Sequence, residues 1–195
     1  MNKPAKIDTN RETVIENATE LFWRKGFDDV SVGDLVDATG LNRYQLYQTF
    51  GSKRDIFLTI LDSYIAESHE AVKGFLDEEG ANPYDALYNC IYNKMLDPEI
   101  FPAGCLMCTT AVDVAAKDEE VAEIFNQVNA DMHVSFAEAF RRAQSKGLVP
   151  DDRDADAFAE LAHALYFSTG VQARMGRSRE ALMDALRKTV DSVKN

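Results

Sequence analysis

Four helix-start signals lie within the first 55 residues of this chain, beginning at Thr9, Ser31, Asn42 and Ser52. In each signal the first side chain can accept a hydrogen bond from the backbone N–H three residues later, and an acid or amide at that later position can bond back. Starts this close together leave room only for compact helices. The sequence therefore predicts closely spaced helices, with the second at 32–39 and the third at 43–50, followed by a long helix.

The remainder of the chain also has helical periodicity. Apolar residues recur at intervals of three, four and seven, and the 195 residues include only 5 Pro and 10 Gly. No segment requires a β-strand, so we expect an all-α protein. Helices become longer after residues 52–57, which predicts two domains, residues 1–55 and 56–195, that share one continuous helix.

The turn between the second and third helices indicates a helix-turn-helix. Gly40 can adopt the positive φ that such a turn needs, and Asn42 can cap the following helix. Within that helix Leu46 and Phe50 share one face, which must pack inward. The other face carries side chains suited to a DNA major groove, namely Arg43, Tyr44, Tyr47 and Gln48. Taken alone, the pattern fits either DNA binding or a plain helical core.

Two basic residues at the start of the fourth helix favour DNA binding. Lys53 and Arg54 lie at the positive end of the helix dipole, where cations are unfavourable by roughly 0.3–1 kcal/mol. A DNA phosphate held by the backbone N–H groups of residues 52–54, with Lys53 beside it, would offset this cost. We therefore expect a phosphate contact here.

The net charge of −12, from 21 basic and 33 acidic residues, argues at first against a nucleic-acid partner. Its distribution changes that conclusion. Residues 1–57 hold eight basic and nine acidic residues, a net charge of −1, which leaves −11 for residues 58–195. The only charged side chains between residues 38 and 54 are basic. This pattern predicts few phosphate contacts per subunit, weak non-specific binding and specific binding that falls steeply with salt.

Three groups of residues carry a family resemblance: Leu21-Phe22-x-x-x-Gly26-Phe27, Thr39-Gly40-Leu41 and Leu46-Tyr47-x-x-Phe50-x-Ser52-Lys53. With this spacing, residues 9–57 resemble the N-terminal DNA-binding domain of the TetR family of one-component transcriptional regulators. The resemblance implies an all-helical homodimer of about nine helices per chain. It also implies a C-terminal ligand-binding and dimerisation domain, and repression of transcription that a small molecule relieves.

The resemblance also implies which residues contact double-stranded operator DNA. By position, bases or nearby backbone would be contacted by Asn42, Arg43, Tyr44 and Gln48, and phosphates by Tyr47, Lys53 and either Ser31 or Val32. The chain departs from the family pattern with Val36 in place of the usual Ala, Tyr44 in place of Gly or Pro, and Thr49 in place of His or Tyr. The bulky Tyr44 makes the operator sequence unpredictable from relatives.

The C-terminal domain is rich in aromatic residues and methionines, most of which a helical core would use. A pocket among such helices is the usual form of a small-molecule site. The lining predicted for an unknown effector comprises Tyr92, Phe101, Cys105, Thr109, Phe125, Asn129, His133 and Phe167. No charged cluster points inward, so the sequence does not indicate the charge of the effector. No cofactor or metal is expected.

Cys105 and Cys108 form a C-x-x-C pair whose thiols lie one helical turn apart. A buried packing role is favoured. Thiol or electrophile sensing is the main alternative, because a thiolate near a helix N-terminus is stabilised. A zinc site is a weaker one, since it would have to recruit Cys90, His133 or His163 from elsewhere in the fold.

The last two helices, at about 154–175 and 178–193, carry more apolar surface than one core needs. Such surface predicts a homodimer with a four-helix interface, although simple capping of the monomer core is an alternative. Dimerisation also fits the predicted DNA binding, because two recognition helices must reach half-sites about 34–36 Å apart or a multiple of that distance.

Other functional classes find little support. The sequence has no nucleophile elbow, Gly-rich phosphate loop or H-E-x-x-H motif, so an enzyme is not expected. It has no apolar run of membrane-spanning length and no secretory signal, and three cysteines fit a reducing cytoplasm. We expect a ligand-responsive repressor released from its operator by a small molecule. The alternatives are a thiol-sensing regulator that uses Cys105 and Cys108, and a small-molecule-binding helical protein without a DNA function.

Overall fold

The computed structural model describes residues 11–77, 82–95 and 105–194. These residues form nine α-helices and no strand, which confirms the predicted all-α fold. The helices are α1 (Arg11–Lys25), α2 (Val32–Thr39), α3 (Arg43–Phe50), α4 (Lys53–Leu76), α5 (Pro83–Met95), α6 (Leu106–Asp113), α7 (Glu119–Ser145), α8 (Ala155–Arg174) and α9 (Arg179–Lys194). None of them is long and apolar enough to cross a membrane.

The chain divides into two compact units, residues 1–64 and 65–195. This division falls inside α4, so one continuous helix contributes to both units. The domain boundary placed between residues 55 and 56 from the change in helix length stays a prediction.

Side-chain caps set the helix starts in the first unit. The side chains of Ser31 and Asn42 accept hydrogen bonds from the backbone N–H three residues later, at 3.1 and 2.9 Å. Ser52 does the same at 3.2 Å. In each case the side chain at that later position bonds back to the N–H of the cap. These three predicted starts are confirmed, and the fourth, at Thr9, lies outside the described residues.

An aromatic cluster forms the core of the first unit. The rings of Phe22 and Phe57 lie 5.2 Å apart, centroid to centroid, and those of Phe27 and Phe57 lie 4.8 Å apart. Leu35 and Leu46 of the same unit are completely buried. Burial of Leu46 fixes the rotation of α3, so the opposite face of this helix points to solvent.

The second unit is a helical bundle in which α7 and α8 make the most extensive pairing. Its aromatic core includes Phe158, whose ring lies 5.1 Å from that of Tyr84 and 4.6 Å from that of Phe140. The last helix, α9, buries one stripe of its surface, formed by Leu182, Leu186 and Val190.

Candidate functional site

The solvent face of α3 presents four large side chains. Tyr44 is 73% exposed and Tyr47 is 42% exposed, and Arg43 and Gln48 are exposed beside them. None of these four side chains forms a hydrogen bond or ion pair with another residue that the structure describes. Tyrosine is on average intermediate in burial, so a pair of exposed tyrosines next to an Arg and a Gln forms a surface available to a partner.

Ser31 and Asn42 are the caps of α2 and α3, so their side chains already hold helix ends. The Ser31 hydroxyl donates to Oδ2 of Asp34 at 2.7 Å, and Oδ1 of Asn42 accepts from the backbone N–H of Gln45 at 2.9 Å. Val32, half-buried, begins α2. These residues therefore position the N-termini of α2 and α3, where unpaired backbone N–H groups can meet an anion.

Lys53 has an internal role that its position in the sequence did not reveal. Its Nζ atom lies 2.7 Å from the carbonyl oxygens of both Phe27 and Val30, and 4.5 Å from the centroid of the Phe27 ring. These carbonyl dipoles and the ring face stabilise a cation at the start of α4. The charge at this helix terminus is thus accommodated without a DNA phosphate.

Two carboxylates at helix starts are held in the ionised state. Asp34 lies 2.6 Å from Nζ of Lys25, and this contact, with bonds from the Ser31 hydroxyl and N–H, lowers the pKa of Asp34 well below its usual range. The N–H and hydroxyl of Ser52 lower the pKa of Asp55 in the same way. Both acids thus reinforce the N-terminal ends of α2 and α4.

A cavity of about 150 Å³ lies within the second unit, between α6, α7 and α8. It is lined by Met107, Cys108, Ala111, Phe125, Asn129, Met132, His163, Tyr166 and Phe167. Three of the eight residues predicted to line an effector site are among them, namely Phe125, Asn129 and Phe167. The structure thus brings these three predicted residues together and adds lining residues from α6, α7 and α8.

The other predicted lining residues lie elsewhere. Cys105 is buried at the start of α6, and the Thr109 hydroxyl donates to the carbonyl of Leu106, at 2.9 Å, in its own helix. His133 faces Glu160 at 3.5 Å. The ring of Tyr92 packs under the guanidinium group of Arg179, at 4.5 Å. Phe101 falls outside the described residues.

His163, and not the predicted His133, lines the cavity. It precedes Phe167 by one helical turn, so projecting the sequence onto a helix from Phe167 would have found it. Its Nε2 atom lies 3.0 Å from Oδ1 of Asn129. Burial lowers the pKa of His163, so its ring is neutral at pH 7.

The three cysteines are free thiols, and all are buried. A hydrogen bond with Cys105 and burial raise the pKa of Cys108 far above its ordinary value, which keeps this thiol protonated at neutral pH. No group of three or more His, Cys, Asp or Glu residues suited to a metal ion occurs among the described residues. Burial together with a raised pKa is typical of a thiol that packs and reacts slowly, and this favours a packing role for Cys108.

Family profiles match both units of the chain. Residues 14–60 match the profile for bacterial regulatory proteins of the tetR family, and residues 85–189, more than half of the chain, match the tetracyclin repressor-like C-terminal domain. The chain belongs to the tetR family of bacterial regulatory proteins. It is accordingly a ligand-responsive, DNA-binding transcriptional regulator and not an enzyme, as the family resemblance implied.

Individual relatives agree with this assignment. The HTH-type transcriptional repressor ComR of Escherichia coli K12 is 29% identical over 89% of this chain and 84% of ComR. YezE, an uncharacterised HTH-type transcriptional regulator of Bacillus subtilis 168, is 28% identical over 94% of this chain and 95% of YezE.

Solved structures of tetR-family regulators share the fold. A cysteine mutant of CifR in complex with 26-bp operator DNA superposes with a TM-score of 0.84 at 23% identity, over 95% of this chain and 98% of CifR. The reduced form of E. coli NemR gives a TM-score of 0.79 at 19% identity, over 95% of this chain and 96% of NemR.

Proposed function

We propose that this tetR-family regulator is a cytoplasmic repressor that binds operator DNA as a homodimer and leaves it when a small molecule enters the cavity between α6, α7 and α8. The observation that carries the DNA-binding part is the solvent face of α3. Four large side chains are exposed on this face, and the buried Leu46 fixes the rotation of α3 that exposes them.

The proposed contacts follow from side-chain chemistry. Arg43 and Gln48 suit the bidentate hydrogen bonds that read base edges in a major groove, and Tyr44 and Tyr47 offer hydroxyl groups for bases or phosphates. Ser31, Val32 and Asn42 place helix N-termini beside the DNA backbone. We assign Lys53 mainly to holding the domain together, because its amine already donates to two carbonyl oxygens.

The proposed dimer forms through α8 and α9. After packing within the second unit, these helices still leave apolar side chains partly exposed, including Leu161 and Leu165 on α8 and Ala181 and Ala185 on α9. Pairing these faces across a two-fold axis buries them in a four-helix arrangement. Two copies of α3 then reach successive half-sites, about 34–36 Å apart or a multiple of this.

The proposed release mechanism uses α4, the helix that the two units share. A ligand that enters the cavity favours one arrangement of the second unit, and α4 passes that preference to the first. A coupling free energy of about 1–3 kcal/mol would change operator affinity by about 5–150-fold.

Thiol sensing is the alternative with one point in its favour, since Cys108 lines the cavity. A protonated thiol is a poor nucleophile, however, and the pKa of Cys108 is raised. We therefore propose reversible ligand binding. If blocking the thiols with N-ethylmaleimide left operator affinity unchanged, thiol sensing would be discarded.

A gel-shift experiment tests the DNA-binding proposal. The full-length protein is used to select duplexes from a random pool, and the enriched sequence is compared with the promoter beside its own gene. We expect an inverted repeat that wild type binds and that Arg43→Ala binds much more weakly. Arg141→Ala, which removes an exposed arginine of the second unit, serves as the matched control and should bind as wild type. Failure to enrich any duplex would refute the proposal.

A further inference from the structure

We infer that the cavity between α6, α7 and α8 selects a compact, uncharged and mostly apolar molecule, about the size of one substituted aromatic ring, whose single oxygen group accepts a hydrogen bond from Asn129. This inference rests on the proposed function, because it takes this cavity to be the effector site.

The size of the cavity limits the ligand to a few heavy atoms beyond one ring. Its volume is about 150 Å³. An engineered apolar protein cavity of about 150 Å³ binds benzene. A cavity of this volume therefore holds a ligand of about one ring. Fused ring systems and long acyl chains therefore exceed the space available unless the helices separate.

The lining excludes an ionic ligand. Seven of its nine residues present apolar groups, thiol or thioether sulfur, or an aromatic ring, which in Tyr166 also carries a hydroxyl group, and the other two are Asn129 and His163. None of the nine carries a formal charge at neutral pH, since His163 is neutral. Glu160, the acid that acts electrostatically on His163, has a side chain that is 76% exposed. An ion in the cavity would lose its hydration without gaining a counter-charge.

Asn129 and His163 form a hydrogen-bonded pair that would orient a ligand in the cavity. The ring Nε2 atom of His163 lies 3.0 Å from Oδ1 of Asn129. If the neutral ring donates this bond, the amide NH₂ of Asn129 is left as the donor to a ligand. The Asn129 side chain is exposed and forms no other hydrogen bond with a described residue, so this donor is available. A hydroxyl or carbonyl oxygen on the ligand would complete the arrangement.

Three small probes of nearly equal size separate the contributions of the oxygen group and of charge to binding. Benzyl alcohol has the ring and the oxygen group, toluene has only the ring, and benzoate adds a negative charge. Binding of each to the full-length protein is measured by titration calorimetry at pH 8, where His163 is neutral. We expect benzyl alcohol to bind about three- to tenfold more tightly than toluene, the effect of one hydrogen bond. We expect benzoate to bind more than about tenfold more weakly than benzyl alcohol.

Two variants and one matched control test whether the probes bind in this cavity. Ala111→Phe fills the space between α6 and α7 and should abolish binding of both neutral probes. Its matched control is Ala130→Phe, which adds the same ring at an exposed position on α7 and should leave both affinities unchanged. Asn129→Leu removes the donor without requiring a new cavity shape, so benzyl alcohol should then bind no better than toluene.

The outcomes are decisive in both directions. Benzoate binding as tightly as benzyl alcohol, wild-type affinity in folded Ala111→Phe, or no binding of either neutral probe to wild type would overturn the inference. Unchanged preference for benzyl alcohol in Asn129→Leu would overturn the assigned hydrogen bond. Operator binding is measured on the same preparations without ligand. If the protein binds DNA but not the probes, only the inferred ligand class is wrong. If it binds no DNA, the proposed function itself is contradicted.

Discussion

The ammonium group of Lys53 lies 2.7 Å from the carbonyl oxygen of Val30, 23 positions earlier in the chain. The carbonyl oxygen of Phe27 lies at the same distance, and the Phe27 ring lies below the ammonium group. The first residue of α4 therefore fastens the loop that leads into α2. This loop ends at Ser31, so Lys53 helps to set the position of a helix that flanks the DNA-binding face.

Replacement of Lys53 distinguishes this structural role from a phosphate contact. We expect Lys53→Gln to lower the free energy of unfolding by about 1–3 kcal/mol, since bonds from a charged donor are lost. The slope of log operator affinity against log salt concentration should stay at its wild-type value. A phosphate contact predicts the opposite pattern, with a slope smaller by about 0.9 and little change in stability.

Arg43 should contribute sequence selectivity. We expect Arg43→Gln to weaken binding to the selected operator by about 1–3 kcal/mol and to relax the preference at one base pair of each half-site. Affinities for a set of single-base variants of the operator, measured at one salt concentration, give both quantities. Equal weakening for every duplex would mean that Arg43 contacts only the DNA backbone.

The first unit was predictable where its structure depends on neighbours in sequence. The caps at Ser31, Asn42 and Ser52 each act through a residue three positions away, so their signals appear in the sequence itself. The bonds of Lys53 span more than 20 residues and leave no such signal. For this reason these carbonyl contacts could not be foreseen, and the phosphate contact of Lys53 stays a prediction.

The cavity was only partly predictable, because it depends on how three helices are rotated against one another. Asn129 and Met132 of α7 both line it, and His133 lies one helical turn after Asn129. The His133 side chain nevertheless turns toward Glu160, at 3.5 Å. Spacing along a helix indicates which residues share a face, but the neighbouring helix decides which edge of that face meets the cavity.

Close packing of α8 against α6 makes Gly170 sensitive to substitution. A Cβ atom at this position would lie 2.6 Å from Sγ of Cys108 and 3.1 Å from Cβ of Cys105. We expect Gly170→Ala to destabilise the protein by about 1–3 kcal/mol, measured by urea unfolding. Gly74→Ala is the control, because a Cβ there meets nothing within 4 Å, and it should be neutral or stabilise its helix by up to about 1 kcal/mol.

A double variant tests whether the Cys108 sulfur is the obstacle. Cys108→Ala removes it, so adding Gly170→Ala should cost less in that background than in wild type. Because the Cys105 contact remains, we expect recovery of part of the loss. Equal costs in the two backgrounds would contradict the close approach of α8 to the thiol.

Acid should weaken the first unit through Asp34. Its pKa is lowered in the folded protein by Lys25 and Ser31, whereas unfolding returns it to the ordinary value of 3.8. The stabilisation is therefore complete above the unfolded pKa and is lost as the pH falls toward the folded pKa. We expect Asp34→Asn to be less stable than wild type at pH 7, and the difference to shrink as the pH is lowered below about 4.

Urea midpoints between pH 3 and pH 7 measure this difference. The control is Asp37→Asn on the same helix, since Asp37 is exposed and its side chain forms no hydrogen bond or ion pair with a described residue. Its pH dependence should follow that of wild type. A gap between wild type and Asp34→Asn that stays constant across the range would show that the capping geometry, and not the charge of Asp34, stabilises the start of α2.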